Sequence, residues 1–356
     1  MLDHGVDVLL LSVGADLPYL TGYEAMPLER LTMLVLPREG QAELIVPRLE
    51  APRVVERPDV FSIVAWNETD DPISLVTDRL DPELNIAVGN QTWAQFLVDL
   101  NERLPGTWWR KASDVMGPLR SVKDGPEIEA LAKASAAADR VAVQLQAGEI
   151  PLIGRTEAQV SADLGRRLLA EGHHKVNFAI VAAGENAASP HHEPGDRVIT
   201  AGEVVLCDFG GTMLTDGGAG YCSDITRCVH TGEPPAEFTE LYDVLFAAQA
   251  AGVAAATVGT TCEFVDVAAR RPIIDAGYGQ FFIHRTGHGI GIEAHEDPYI
   301  VEGNTAPLEV GHAFSVEPGI YIPGRWGARL EDIVVCAADA PRPLNEADHH
   351  LVVVEA

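Results

Sequence analysis

Four acids in this chain stand where apolar strands are expected. Asp208 ends the run Val204-Val205-Leu206-Cys207, and Asp224 lies inside a second strand-like stretch, Tyr221 to Arg227. Between them Thr215-Asp216-Gly217-Gly218-Ala219-Gly220 is a strong turn signal. A hairpin centred on Asp216 puts Asp208 opposite Asp224, with Cβ atoms about 5 Å apart. The same arithmetic holds downstream. Ala313 to Glu317 and Leu330 to Val335 flank the turn Pro323 to Gly327, and a centre at Gly324 sets Glu317 opposite Glu331. A one-residue slip would split either pair between two faces. Like charges held so close share protons or bind cations. Two such pairs, with a histidine-rich loop between them, point to metal. That loop, His284 to Glu296, interleaves three histidines with three glycines, and His288, flanked by glycine on both sides, is the expected ligand. One histidine and four carboxylates balance two divalent cations and suit Mn²⁺, with Co²⁺, Zn²⁺ or Fe²⁺ as substitutes. Two metals about 3.5–4 Å apart share a bridging water and lower its pKa, so that a bridging hydroxide can attack a carbonyl.

Two hairpins need a rigid frame. Upstream of them Ile128, Leu131, Ala138, Val141 and Leu145 recur at helical spacing and stop before Gly148. Thr156 is the expected N-cap of a second helix that runs to Gly172. The first third alternates strand signals (Asp7 to Leu11, Leu31 to Leu36, Ala42 to Val46, Asn85 to Val88) with helical ones (Asp71 to Leu80, Thr92 to Leu104), which predicts an α/β domain. Gly117-Pro118 and Gly125-Pro126 punctuate the stretch between these regions. The expected organisation is a domain over 1–120 and a larger α+β domain over 121–356. Trp108-Trp109 is expected to pack the edge of the first. His173-His174 and His349-His350 are expected to be solvated.

Composition removes several function classes. A net charge of −28 argues against nucleic acid, which requires a basic face. No apolar run is long enough to span a bilayer and no basic leader precedes an apolar stretch, so neither membrane nor export is expected. The five cysteines form no C-x-x-C pair, which fits a reducing cytoplasm. A homodimer is expected on the prior for soluble enzymes.

The runs Cys207 to Gly210, Tyr221 to Arg227, Thr286 to Glu296, Ser315 to Tyr321 and Arg329 to Asp332 resemble the motifs of the pita-bread metallopeptidases, in their Xaa-Pro branch of prolidase (Xaa-Pro dipeptidase) and aminopeptidase P. The resemblance is strong over residues 122–356. The first 120 residues resemble, more weakly, the smaller creatinase-type N-terminal domain. It implies that Asp208 binds one metal, that Asp224 and Glu331 bridge both, and that His288 and Glu317 hold the second, with Glu317 also acting as general base. His191 matches a histidine that stabilises the tetrahedral oxyanion, with His192 as the competing position. His295 matches a second substrate-side histidine. His284 and Arg329 match residues on the proline and carboxylate side of the pocket. One departure is visible: the link from Gly211 to Gly220 is longer than usual, which implies altered packing and intact chemistry.

The implied activity is hydrolysis of an Xaa-Pro bond in a small peptide with proline second. Dipeptidase is favoured over aminopeptidase P, because a dipeptide's free carboxylate calls for a cation that Arg329 or His284 could supply. Creatine amidinohydrolases share both domains without this ligand set. Methionine aminopeptidases share the ligands but lack a separate N-terminal domain. A non-catalytic binding module of the same fold would be expected to have lost ligands.

Overall fold

The computed structural model describes residues 1–81 and 83–354, which form two compact units. The first comprises 1–120 and takes in the turn 215–220. Its sheet contains β1 (Val8–Leu11), β2 (Met33–Pro37), β3 (Ala42–Pro47), β4 (Phe61–Trp66), β5 (Asn85–Val88) and β6 (Trp108–Lys111), in the order β4-β3-β2-β1-β5-β6. Helices α1 (Asp16–Thr21), α2 (Pro72–Thr77), α3 (Ala94–Arg103) and α4 (Ser113–Ser121) complete it. Leu9 and Leu11 pack in one apolar cluster and Val8 and Leu10 in another, so β1 is buried on both sides, as its unbroken apolar run requires. The Trp108-Trp109 expectation is half right. Trp109 donates to Asn101 Oδ1, but Trp108 is 78% exposed on the edge strand β6. In the added turn the Arg57 guanidinium donates to the Gly217 carbonyl at 2.8 Å, and a Cβ on Gly22 would stand 2.3 Å from that oxygen.

The second unit begins with two capped helices, α5 (Gly125–Gln146) and α6 (Glu157–Ala170). Asp124 with Glu127, and Thr156 with Gln159, form reciprocal capping boxes, and Gly148 adopts φ 74° just beyond α5. One sheet follows from β7 (Lys175–Ala183), β8 (Val204–Leu214), β9 (Gly220–Cys222) and β10 (Ile225–Thr231). Two more helices, α7 (Ala236–Ala255) and α8 (Cys262–Asp275), lead to a second sheet. That sheet contains β11 (Gly287–Gly289), β12 (Glu296–Ile300) and β13 (Ala313–Val316). A hairpin pair, β14 (Gly319–Ile322) and β15 (Trp326–Arg329), comes next, and β16 (Asp332–Val335) and β17 (Arg342–Pro343) rejoin the second sheet. The last strand, β18 (Val352–Val354), returns to the first sheet beside β10.

Strand alternation decides where Asp208 points. Val205, Cys207 and Phe209 pack on α5 and α6 with Leu145 and Leu164. Val204 and Leu206 face the other way, into a cluster with α7 and with Ile320 and Leu330. Asp208 shares this second face and is thereby aimed at the hairpin that carries Glu317 and Glu331.

Two of the surface histidines are not solvated. His173 is buried, its ring bonded to the Leu168 carbonyl and to Ser223 Oγ at 2.8 Å. His349 is bonded to Asp332 Oδ2 at 2.5 Å. His174 and His350 are exposed, as expected.

Candidate metal and active site

The first acidic hairpin is centred one residue beyond the sequence expectation. Thr215 bonds across to Ala219, and Asp208 pairs with Thr226, Phe209 with Ile225. Asp224 therefore lies diagonal to Asp208, two positions along, and the two acids keep a common face because two positions is one full period. Asp224 itself occupies a break between β9 and β10. The chains close up there: a Cβ on Gly210 would stand 2.1 Å from the Ser223 carbonyl oxygen, so glycine is required. The second hairpin keeps the expected register. Val316 pairs with Asp332 and Gly319 with Arg329, both symmetric about Gly324, and Glu317 and Glu331 fall on that line between the two ladders. An isolated bridge between Thr226 and Glu331 joins the hairpins.

Asp224, His288 and Glu331 present oxygen and nitrogen ligand atoms within 4.8 Å of one another. His288 Nε2 is 3.2 Å from Glu317 Oε1 and 3.8 Å from Asp224 Oδ2. Its Nδ1 donates to the Gly289 carbonyl at 3.1 Å, which orients the ring with Nε2 toward the acids. Asp208 joins the group through Arg329, whose Nη2 is 2.5 Å from Asp208 Oδ2.

The charges on this floor are not balanced by the protein. Burial pushes Asp224 and Glu331 well above the usual carboxylate range, and repulsion among the acids adds to it: Glu331 is the main neighbour for Asp224, Glu317 for Glu331. Burial raises Asp208 too, with the Arg329 charge opposing. Glu317 is the exception. Burial raises it, but the hydrogen bond and charge of His288 bring it down to about 2. Asp208 Oδ1 and Asp224 Oδ1 are buried without a hydrogen-bond partner among the described residues. Unpaired buried carboxylate oxygens cost several kcal/mol unless a cation meets them. The donor set of one imidazole nitrogen and carboxylate oxygens, with orphaned oxygens among them, fits divalent metal binding.

Residues outside the ligand set hold it in place. Thr226 Oγ1 donates to Glu331 Oε2 at 2.6 Å and accepts from Arg329 Nε. Ser315 Oγ donates to Glu317 Oε1 and accepts from the His288 backbone N–H. Arg227, fully buried, spans the Glu331 carbonyl at 2.7 Å and Asp332 Oδ1 at 2.7 Å. Asp266 and Arg270 on α8 clip the histidine loop. Arg270 donates to the Phe282 and His284 carbonyls, and Asp266 Oδ1 accepts from the Thr286 N–H. Sequence reasoning singled out none of these residues. Thr226, Arg227 and Ser315 lie inside runs already noticed, and their polarity in buried strands was the available signal.

A cavity of about 490 Å³ opens over the floor, lined on its rim by His191, His284, Arg285, His295 and Arg329. His191 lies on the cavity side and His192 does not: its Nε2 bonds to Glu157 Oε2 at 2.7 Å. His295 stacks beside His288 with ring centroids 3.8 Å apart, and burial, reinforced by His288, lowers its pKa to about 4. His284 is also held near 4, chiefly by burial. Its Nδ1 donates to the Arg285 carbonyl, and its Nε2 accepts from Tyr321, whose oxygen accepts from Arg329 Nη1. His284 thus lines the pocket as a neutral ring with both nitrogens committed, and it supplies no cation. Arg329 keeps its charge, but its donors go to Asp208, Thr226, Tyr321 and the Pro190 carbonyl. The half-buried rim cation that sequence reasoning missed is Arg285, which lies 4.4 Å over the Tyr299 ring.

Comparison with known proteins agrees with this geometry. Residues 128–338 match metallopeptidase family M24, and residues 1–122 match the creatinase/prolidase N-terminal domain. The chain is 43% identical to the probable dipeptidase PepE of Mycobacterium tuberculosis, covering 99% of this chain and 93% of that one. It is 35% identical to the Xaa-Pro dipeptidase of Lactobacillus delbrueckii subsp. lactis, over 99% and 96% of the two chains. The crystal structure of dipeptidase PepE from Mycobacterium ulcerans superposes with a TM-score of 0.91 at 43% identity, covering 99% of this chain and 95% of that one. The catalytic fold is the pita-bread architecture preceded by a smaller creatinase-type domain, and the chain belongs to metallopeptidase family M24.

Proposed function

We propose that this M24 peptidase hydrolyses Xaa-Pro dipeptides, using two divalent cations held by Asp208, Asp224, His288, Glu317 and Glu331. The observation that carries the reading is the buried floor of acids, two of whose oxygens have no hydrogen-bond partner among the described residues. When bound, the metals supply Lewis acidity and an activated water. The other steps belong to the chain. Glu317, beside His288 on the floor, accepts the proton of the attacking water and passes it toward the leaving amine. His191 and His295 lie together on the rim, and each can donate an N–H to the developing oxyanion. With Arg285 facing His295 Nδ1 at 3.5 Å, the proton of that neutral ring sits on Nε2. The tertiary amide of an Xaa-Pro bond has no N–H to satisfy, and a mostly apolar wall such as Phe178 and Ile180 asks for none.

The names of the relatives support a dipeptidase, and so does the pocket. A free substrate carboxylate needs a cation, and Arg285 is not committed to the acids of the floor. We further propose Mn²⁺ as the metal, from the ligand types, and a cytoplasmic homodimer. No helix among the described residues is long and apolar enough to cross a membrane. Chelator-stripped enzyme restored with Mn²⁺ should release free amino acid from an Xaa-Pro dipeptide in preference to an Xaa-Pro-Yaa tripeptide. Preference for the tripeptide would move the assignment to aminopeptidase P. Cleavage of neither, in protein holding two metals per chain, would end the Xaa-Pro reading.

A further inference from the structure

We propose that Glu157 and His192 are positioning residues that hold His191 over the reacting carbonyl. The inference rests on the oxyanion role assigned to His191 above. His191 sits in the connection between β7 and β8, which has no regular structure beyond a single 3-10 turn over Gly184–Ala188. A donor on such a segment needs external restraint, because a misplacement of about 1 Å costs roughly 10²-fold in rate. The restraint comes from one carboxylate. Glu157, the first residue of α6, is fully buried. Its Oε1 accepts from the Ala183 N–H at 2.8 Å and from Asn186 Nδ2 at 3.0 Å. Its Oε2 accepts from His192 Nε2 at 2.7 Å. One side chain thus ties the end of β7, the 3-10 turn and the residue beside His191 to a helix N-terminus, where a negative charge is favoured.

Other contacts tighten the same segment without touching His191. Arg329 donates to the Pro190 carbonyl at 3.3 Å, and the His192 N–H to the Ser189 carbonyl at 3.2 Å. Gly327 on β15 lies so close that a Cβ there would stand 2.0 Å from the Ala187 carbonyl oxygen. The Glu157 and Ala158 N–H groups bond to the Arg197 and Gly195 carbonyls, which pins the downstream side. His191 is the third residue of the turn that the His192–Ser189 bond closes. Anchoring the His192 ring to Glu157 therefore fixes the end of that turn, and the His191 ring lines the cavity. The paired histidines divide the work: one anchors, the other faces substrate.

A merely structural anchor and a positioning anchor differ in how they couple to His191. In Mn²⁺-loaded enzyme, His192→Ala should lower kcat by about 10²-fold with KM nearly unchanged and metal content intact. In a His191→Ala background the same substitution should lower kcat no further. His192→Gln, whose amide can still donate to Glu157, should recover most of the rate. Glu157→Gln provides a second route if His192→Ala folds poorly, with the same dependence on His191. Equal losses in both backgrounds, or a loss confined to KM, would overturn the proposal. The ring is also read without turnover. Crystals or ¹⁵N imidazole spectra should show His191 ordered toward the cavity in the parent enzyme and displaced in His192→Ala. A ring that keeps its place would overturn the positioning role even if the parent proved to cleave some other peptide.

Discussion

The floor of the site and its rim are built on opposite principles. The floor acids sit on or between hydrogen-bonded strands, where backbone ladders fix their positions and the electrostatics are left unfavourable. The rim histidines sit on loops, where no ladder fixes them, and nearly every polar group is satisfied: His284 by Tyr321 and a carbonyl, His192 by Glu157, the histidine loop by Asp266 and Arg270. A strand can hold like charges together because sheet and core resist their separation. A loop cannot, and must be clipped. Strain that a ligand relieves therefore belongs on the floor, and precision toward substrate depends on clips at the rim.

The most severe way to test this contrast is to neutralise a floor acid. Asp224→Asn should lower kcat/KM by at least about 10³-fold, since it removes one of the carboxylates proposed to hold the cations, worth several kcal/mol of charge stabilisation. Retention of more than a tenth of the activity, measured on a dipeptide in saturating Mn²⁺, would break the assignment. A weaker lever is the hydroxyl that joins the two hairpins. Thr226→Val removes the donor to Glu331 and the acceptor for Arg329, and should weaken metal binding about 10–100-fold by calorimetric titration while leaving the sheet intact.

The smallest effect concerns pH in metal-free protein. Asp208, Asp224 and Glu331 have folded-state pKa values above their unfolded ones, so they add stability below about pH 4 and that stability is lost as pH rises through the folded values. Glu317 is depressed and acts oppositely, with its contribution present above about pH 4 and lost toward pH 2. The melting temperature of chelated protein should therefore fall from mildly acidic pH toward neutrality, and saturating Mn²⁺ should abolish the slope.

The same contrast explains what the sequence revealed. The four acids were legible because each hairpin is local and its turn lies midway between them. Glu317 and Glu331 came out in register, since Gly324 is the only glycine central to its turn. Asp208 and Asp224 came out two positions off, because the glycine-rich turn offers several centres and the chain uses Gly217; strand periodicity kept both acids on one face regardless. The clips were not legible. Glu157 lies far in sequence from His192, and Asp266 from Thr286, and nothing in spacing alone joins a helix start to a distant loop. His284 and Arg329 were placed at the pocket, but the commitments that leave His284 neutral depend on Tyr321, which only the folded hairpin brings near.

The central claim is that the floor acids repel one another until cations arrive, and thermal unfolding tests it directly. Parent protein and Asp224→Asn would each be melted at neutral pH, stripped by chelator and then saturated with Mn²⁺. A ligand at a hundredfold its Kd stabilises by about 2.7 kcal/mol per site. The parent should gain strongly from Mn²⁺, while Asp224→Asn should be the more stable of the two when stripped and gain little on addition. A parent indifferent to chelation, with a stripped Asp224→Asn that melts lower, would contradict the account.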